Sequence, residues 1–319
     1  MTGLLDSLHP GEEAVATGAV GALNDDCPIP NTYRGHGHAI AKSVPMKPLM
    51  SELLGKTTNK RLDRDAVPVL RMRLKDKVAI VTGSSRGIGK AIAKLFAREG
   101  AKVVVNYNAS EKEATAVVEE IRREGGTAIQ VKADVSKSED VRKMVQRAVQ
   151  EFGRIDILVN NAGVHVSKDL FDVTEDEWDR TIDVNLKGAY LCSKEVAPIM
   201  ARQKNGKIIN ISSNSGEYHQ TAMRYVEYVT SKAGMNGLTR SLALRLGPHI
   251  RVNAILPGYI RTEMVAHFTP EDEKMLMNET ALKRFGNVED VAYSALFLAS
   301  DESDFITGEL MFVTGGRGM

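Results

Sequence analysis

The chain has 319 residues, and its 42 Lys and Arg against 41 Asp and Glu give a net charge of +1. A net charge this close to zero excludes the strongly basic surface with which proteins bind nucleic acid or an anionic membrane. No apolar run approaches the roughly 20 residues that span a bilayer. The only cysteines are Cys27 and Cys192, too few for a disulfide framework, so we expect a cytoplasmic protein.

Residues 1–72 differ in composition from the rest of the chain. Stretches such as HPGEE, DDCPIPNTYRGHGHA and SVPMKP are rich in turn-forming residues, whereas regular apolar periods begin near Leu74. We therefore divide the chain into an N-terminal extension, 1–72, poorly structured or partly helical, and a folded domain, 73–319. His36 and His38 have no further ligands clustered around them, so no metal site is predicted.

Strands and helices alternate from residue 74 onward. The predicted strands are KVAIVTG, AKVVVNY, TAIQVKAD, IDILVNNAG, KIINISS, IRVNAILPG and GELMFVTGG, with helical patterns between them. The longest helix is predicted from a capping box of Thr174 and Glu177 through Gln203, and a later one ends near Leu246. This alternation predicts a doubly wound, mostly parallel seven-stranded sheet with helices on both faces.

The first strand leads into its helix through TGSSRGIG, residues 82–89. Gly83 permits a tight turn, and Gly87 and Gly89 let the backbone approach a diphosphate. Such a diphosphate would meet the positive end of the helix. The position between strand and helix makes a dinucleotide-binding turn the favoured interpretation.

The end of the second strand indicates which dinucleotide is bound. NAD enzymes usually place a carboxylate there, to bind the ribose 2′-hydroxyl. This chain has Asn106 instead. No acid is present to repel a 2′-phosphate, and Arg86 of the glycine loop can pair with one, so the sequence favours NADP(H), with NAD(H) also possible.

The stretch RYVEYVTSK, residues 224–232, offers two tyrosines as a catalytic acid. Tyr228 and Lys232 are one helical turn apart, so their side chains are neighbours. Tyr225 lies roughly 10 Å from Lys232 along the axis, too far for direct tuning. We therefore choose Tyr228, and expect the ammonium of Lys232 to lower the phenol pKa. Tyr225 is interpreted as a packing residue or a pocket wall.

A hydroxyl near the end of the fifth strand could donate a second hydrogen bond to a carbonyl oxygen. The segment INISSNSG offers several serines. Ser213 is best placed, just after the strand, and Ser212 and Ser215 remain alternatives.

The ordered motifs TGSSRGIG, ADV, NNAG, DVNLKG, SSNSG, YVTSK and LPGYIRT resemble the short-chain dehydrogenase/reductase family over about residues 74–319. The resemblance implies a Rossmann-type fold and NAD(P)-dependent interconversion of a ketone and a secondary alcohol. It implies a catalytic tetrad of Asn185, Ser213, Tyr228 and Lys232, with Asn185 holding a relay water. The predicted cofactor contacts are Gly83, Ser85, Arg86, Gly87, Ile88, Gly89, Asn106, Asp134, Val135, Asn160 or Asn161, Ala162, Gly163, Tyr228, Lys232, Pro257, Gly258, Ile260 and Thr262.

Within the family, the general pattern is closest to 3-oxoacyl-acyl-carrier-protein reductases. The implied substrate is a carbonyl or alcohol, carried on acyl carrier protein or coenzyme A, with a substrate lid at about 263–285. An acidic carrier would need a basic rim, for which Arg202 and Lys204 are candidates. The alternatives are a sugar or polyol dehydrogenase, an acetoin or diketone reductase, and a non-enzymatic NADP-binding scaffold or sensor. The resemblance also implies a homotetramer.

Residues 10–60 resemble a fragment of the alpha subunit of thiamine-diphosphate-dependent 2-oxo acid dehydrogenases. Tyr33 and Arg34 match residues that hold the cofactor diphosphate in that family. The family's Gly-Asp-Gly metal motif has no counterpart in this chain, and the site also needs a beta subunit. We therefore expect no thiamine diphosphate site and an extension that is dispensable for the chemistry.

Overall fold

The computed structural model describes residues 72–217, 225–265 and 268–318. These residues belong to one compact unit, Met72–Met319. The extension, with its stretch similar to a thiamine-diphosphate enzyme, lies outside the described residues, as does the segment 218–224.

The folded unit alternates strands and helices in the predicted order. The strands are β1 Val78–Val81, β2 Lys102–Tyr107, β3 Thr127–Lys132, β4 Ile157–Asn160, β5 Gly206–Ile211, β6 Ile250–Pro257 and β7 Leu310–Val313. The α-helices are α1 Gly87–Arg98, α2 Glu111–Arg123, α3 Ser138–Phe152, α4 Glu175–Ile182, α5 Gly188–Gln203, α6 Val226–Leu246, α7 Pro270–Asn278 and α8 Val288–Ala299.

The strands form one seven-stranded sheet in the order β3-β2-β1-β4-β5-β6-β7. Every pair of neighbours is parallel, so the predicted Rossmann-type doubly wound sheet is confirmed. The strand order reverses between β1 and β4, and a crevice forms at the carboxyl ends of the strands beside such a switch point. The topology therefore positions a ligand cleft.

Helices cover both faces of the sheet, which explains why its strands are almost wholly apolar. On one face, Phe96 of α1, Ile121 of α2 and Leu296 of α8 belong to a single buried cluster. On the other face, Met144 of α3 and Met200 of α5 belong to a second. All five side chains are at most 1% exposed, so both faces carry a dry core.

The long helix predicted from Thr174 to Gln203 is interrupted. Its capping box is present: the Glu177 amide donates to Thr174 Oγ1 at 3.3 Å, and the Thr174 amide donates to Glu177 Oε2 at 3.0 Å. A π-helical turn, Asp183–Lys187, then separates α4 from α5. Such turns insert a residue into a helix and frequently mark functional sites. This one carries Asn185, which is fully buried.

Candidate active site

A cleft of about 1070 Å³ lies at the carboxyl edge of the sheet. Its walls come from residues that follow successive strands: Gly83 after β1, Asn108 after β2, Asp134 after β3, Ala162 after β4 and Gly258 after β6. This arrangement agrees with the predicted ligand edge. Nearly all the predicted contacts line the cleft. Gly89 does not: it is buried in α1, and an added Cβ there would clash with Asn161 Nδ2 and lie 2.6 Å from the Gly83 carbonyl oxygen, so this glycine permits close packing of the loop. Asn160 is described below.

The loop between β1 and α1 depends on glycine at two positions. Gly83 has a φ of +61°, and a Cβ atom there would lie 2.8 Å from the Cα of Ala162. Gly87 has a φ of +53°, and its Cβ would meet only the Thr262 methyl, at 3.7 Å. Gly83 therefore permits close packing of the loop, whereas Gly87 leaves open a cradle that a side chain would fill. The lining fits the diphosphate of a dinucleotide.

Asn161 and Asn160 have structural partners. Asn161 Nδ2 donates to the carbonyls of Thr82 and Gly83, at 2.9 and 3.1 Å, and so holds the glycine loop against β4. Asn160 points into the core, where its Nδ2 donates to Asn210 Oδ1 at 2.8 Å. Asn161 lines the cleft and Asn160 does not, so the structure corrects the interpretation of Asn160 as a cofactor contact.

Asn106 lines the cleft, but its side chain is committed to the backbone. Its Oδ1 accepts from the Gly83 amide at 3.0 Å, and its Nδ2 donates to the Ala133 carbonyl at 3.1 Å. The residue is 1% exposed. Two polar residues that the sequence analysis did not include line the cleft at this edge: Asn108, which is exposed, and Ser110, which is half-buried. They follow β2, so their position after a strand was the available signal.

The part of the cleft that follows β3 is held by hydrogen bonds of Asp134. Asp134 Oδ1 accepts from the Ser136 amide at 3.0 Å and from its hydroxyl at 2.7 Å. Val135 is 6% exposed and lies against Gly188 at the start of α5. A partly apolar wall of this kind suits an aromatic base, and both residues line the cleft as predicted cofactor contacts.

Tyr228, Ser213 and Lys232 come together at the other end of the cleft. The Ser213 hydroxyl and the Tyr228 phenol share a hydrogen bond. Lys232 Nζ lies 5.5 Å from the centre of the Tyr228 ring and donates to the Ile211 carbonyl at 2.8 Å. Strand β5 ends at Ile211. The end of this strand therefore carries the Ser213 hydroxyl and also holds the ammonium of Lys232, which projects from α6.

The alternatives to Ser213 are placed differently: Ser212 lines the cleft but its hydroxyl is engaged by α6, and Ser215 is outside the cleft lining. Ser212 Oγ donates to Asn236 Oδ1 at 2.7 Å and lies 3.1 Å from the Lys232 carbonyl oxygen, so it joins β5 to α6. The Ser215 amide donates to Ser213 Oγ at 3.1 Å. Because that hydroxyl receives a backbone N–H, its own hydrogen remains available for the Tyr228 side.

Burial shifts the pKa values of both catalytic candidates. It raises the pKa of Tyr228, and the hydrogen bond with Ser213 opposes the rise. Burial also lowers the pKa of Lys232 to about 8. The expectation that Lys232 lowers the Tyr228 pKa is therefore wrong as a net direction, since desolvation of the phenolate is the larger effect.

The wall opposite Tyr228 is held from two sides. Asn185 Oδ1 accepts from the Val164 amide at 2.8 Å, and its Nδ2 donates to the Val164 carbonyl at 2.9 Å and to Ser231 Oγ at 3.0 Å. Glu227, fully buried in the first turn of α6, accepts from the Val166 amide at 3.2 Å through Oε1. The Asn185 side chain thus fixes the cleft wall.

Tyr225 lies at the start of α6, outside the set of residues that line the cleft. Its ring is 5.4 Å from that of His165, which also meets Tyr228 edge-on at 6.0 Å. His165 does line the cleft, and the sequence analysis missed it. Its place after β4 was the only signal.

The end of β6 and the segment that follows it form another wall of the cleft. Pro257, Gly258, Ile260 and Thr262 line it, and the Arg261 amide donates to the Gly286 carbonyl at 2.9 Å. Helix α7 follows and is capped by Thr269: the Asp272 amide donates to Thr269 Oγ1 at 3.1 Å. In the described ranges, no three His, Cys, Asp or Glu side chains group as a metal site.

The chain is similar in sequence to known reductases and dehydrogenases. Residues 83–317 match the sequence profile of a family described as enoyl-(acyl carrier protein) reductase. The chain is 42% identical over 245 residues to the 3-oxoacyl-acyl-carrier-protein reductase of Staphylococcus epidermidis, which covers 76% of this chain and 100% of that protein. It is 40% identical over 251 residues to (2S)-((R)-hydroxy(phenyl)methyl)succinyl-CoA dehydrogenase subunit BbsD of Thauera aromatica, over 78% of this chain and 99% of that subunit.

Solved structures show the same architecture. A short-chain alcohol dehydrogenase of Sinorhizobium meliloti 1021 superposes with a TM-score of 0.73 at 37% identity, over 77% of this chain and 98% of that chain. A short-chain type dehydrogenase/reductase of Mycobacterium marinum gives a TM-score of 0.72 at 36% identity, over 77% and 97%. Across the described segments, no helix is long and apolar enough to cross a bilayer.

Proposed function

Because the chain belongs to the short-chain dehydrogenase/reductase family, we propose that it is an NADP(H)-dependent reductase of 3-oxoacyl thioesters, which it converts to 3-hydroxyacyl thioesters. Family membership makes it an oxidoreductase that uses a nicotinamide cofactor and acts on C=O and CH–OH groups. The observation that carries the proposal is the grouping of Ser213, Tyr228 and Lys232 at one end of a dinucleotide-sized cleft.

The cofactor end and the chemical end of the cleft are distinct. The glycine loop, Asp134 and Val135 would hold the dinucleotide, and Gly163 with Pro257 and Gly258 would face its nicotinamide. When bound, the reduced nicotinamide would supply the hydride that the carbonyl carbon accepts. As negative charge develops on the carbonyl oxygen, Tyr228 donates its proton to it and the Ser213 hydroxyl donates a hydrogen bond.

The pKa directions suit reduction. A phenol with a raised pKa stays protonated and ready to act as an acid near neutrality. A Lys232 with a pKa of about 8 is mostly an ammonium at pH 7 and can stabilise the phenolate that remains after proton transfer. Asn185, which fixes Val164 and touches Ser231, is assigned to holding the relay route behind Lys232.

This assignment predicts a pH dependence. Lys232 loses its charge as pH rises through about 8, whereas Tyr228 stays protonated over the same range. We therefore expect kcat/KM for ketone reduction to be level near pH 7 and to fall above about pH 8. Initial rates from pH 6 to 10 in a constant-ionic-strength buffer measure this profile. Reduction that accelerates between pH 8 and 9.5 would contradict the assignment.

The preference for NADP(H) rests on Arg86 and the absence of an acid after β2. Asn106→Asp is not a clean test, because a buried carboxylate would face the Ala133 carbonyl that Nδ2 now contacts. Asn108 is exposed. We expect Asn108→Asp to lower the NADPH over NADH ratio of kcat/KM by about tenfold, through repulsion of the 2′-phosphate. Asn108→Ser is the neutral control, and an unchanged ratio in the Asp variant would contradict the placement.

The substrate class is inferred from relatives. Their names point to acyl thioesters on carrier protein or on coenzyme A, and this chain has the carbonyl-reducing residues that both need. The prediction that Arg202 and Lys204 form a basic rim for an acidic carrier protein is wrong. Arg202 and Lys204 precede β5, so they lie at the edge opposite the cleft, about 20 Å away.

A substrate panel tests the proposal. NADPH oxidation would be followed with a 3-oxoacyl-CoA, the same acyl group on a carrier protein, a vicinal diketone and a ketose. We expect the thioesters to exceed the diketone and the ketose in kcat/KM by at least about tenfold. A higher kcat/KM for the diketone or the ketose than for both thioesters would overturn the substrate class and favour the alternative activities.

A homotetramer remains our prediction for the assembly. Exposed apolar side chains occur on the helices beside β5, such as Tyr190 and Leu244, and near the C-terminal strand, such as Tyr293 and Phe312. Exposed apolar residues of this kind suit contact between copies of the chain. Light scattering at micromolar concentration should report about four times the chain mass, and a monomer would contradict the prediction.

A further inference from the structure

An ion pair crosses the cleft between the glycine loop and the lid. Arg86 Nη1 lies 2.9 Å from Glu263 Oε2, and the two side chains are 65% and 74% exposed. Both residues line the cleft. Within the described part of the chain, Glu263 is the only ion-pair partner of this guanidinium. The pair joins two elements that are 177 residues apart in sequence.

The same guanidinium is the group proposed to recognise the 2′-phosphate of NADP(H). That phosphate belongs near the end of β2, where Asn108 and Ser110 line the cleft. A guanidinium binds a phosphate best through a planar, two-point contact. While Arg86 faces Glu263, it cannot present the whole of that plane to a phosphate.

We propose that Glu263 is a specificity-determining residue that competes with the 2′-phosphate of NADP(H) for Arg86 and thereby moderates the preference for NADP(H) over NAD(H). NAD(H) has no 2′-phosphate, so it does not compete for Arg86. The carboxylate therefore opposes one cofactor selectively. The inference rests on the proposed cofactor assignment, which is tested separately by the behaviour of the unaltered protein.

The expected size is modest, because exposed ion pairs in water are weak and screened by salt. We expect Glu263→Gln to raise the ratio of NADPH to NADH affinity by about two- to fivefold. The gain should come from tighter NADPH binding. NADH affinity should change by less than about 1.5-fold, because the glutamine keeps the size of the side chain and loses only its charge.

The experiment measures dissociation constants for NADPH and NADH by fluorescence titration of the full-length protein, without substrate. Glu271→Gln is the matched control, because Glu271 is an exposed acid in the first turn of α7 with no ion pair in the described ranges. We expect it to leave the affinity ratio unchanged. In an Arg86→Ala background, Glu263→Gln should also leave the ratio unchanged, because the contested group is gone.

The outcomes distinguish the role of Glu263 from the proposed preference for NADP(H). A ratio that rises in Glu263→Gln only when Arg86 is present supports the competition, whatever the starting ratio. An unchanged ratio, or an equal gain for both cofactors, overturns it and points instead to simple repulsion of the diphosphate. Failure of the unaltered protein to prefer NADPH would refute the cofactor assignment without deciding the role of Glu263.

Discussion

Replacing Tyr228 by Phe is expected to lower kcat for ketone reduction by about 10²- to 10⁴-fold, the range that a positioned general acid contributes. The ring keeps its packing, and only the hydroxyl that shares a hydrogen bond with Ser213 is lost. The dissociation constant for NADPH should therefore change by less than about threefold. Steady-state rates at saturating NADPH and fluorescence titration of the cofactor measure the two quantities.

Tyr225→Phe is the matched control for this change. Tyr225 lies one turn earlier and packs on His165, and it is outside the cleft lining. We expect its kcat to remain within about threefold of the unaltered protein. If Tyr225→Phe abolished turnover while Tyr228→Phe did not, the choice of acid would be wrong.

Replacing Lys232 by Met should lower kcat by about a hundredfold or more. The variant removes the buried ammonium that can stabilise the Tyr228 phenolate, and it also removes the donor to the Ile211 carbonyl. NADPH affinity should fall as well, because Lys232 is a predicted cofactor contact and lines the cleft. Rates at saturating cofactor, with a thermal melt to establish folding, measure the effect.

Lys207 provides the control for loss of a buried lysine. It is 5% exposed and, like Lys232, has a pKa lowered by burial. Its ammonium donates to the Ser300 carbonyl at 3.0 Å and pairs with Asp304 at 2.7 Å, at the edge away from the cleft. Lys207→Met should lower stability and leave kcat per folded molecule unchanged. Equal losses of kcat in the two variants would contradict a chemical role for Lys232.

Much of the fold was predictable because its signals are local. The seven apolar strands, the capping boxes at Thr174 and Thr269 and the end of α6 at Leu246 all follow from short-range patterns. The π-turn at Asp183–Lys187 was not predictable in this way. A π-turn changes the hydrogen-bond spacing within a helix, and no residue type is characteristic of it.

The site was predicted less completely, because its remaining features depend on tertiary contacts. Asn106 serves the backbone of the glycine loop, and only the folded loop brings the Gly83 amide to it. The pKa of Tyr228 depends on burial, which the spacing of Tyr228 and Lys232 does not report. The position of Arg202 and Lys204 was deducible, since residues that precede a parallel strand lie at the edge opposite its carboxyl end.

We expect this chain to reduce the carbonyl group of a 3-oxoacyl thioester with NADPH. The most direct measurement is product analysis after reaction of a 3-oxoacyl-CoA with limiting NADPH, alongside a 2-enoyl-CoA. We predict one 3-hydroxyacyl-CoA formed for each NADPH consumed and no consumption of the enoyl thioester. Reduction of the enoyl thioester in preference to the ketone, or NADPH binding with no product from the 3-oxoacyl thioester, would contradict the proposed ketone reduction.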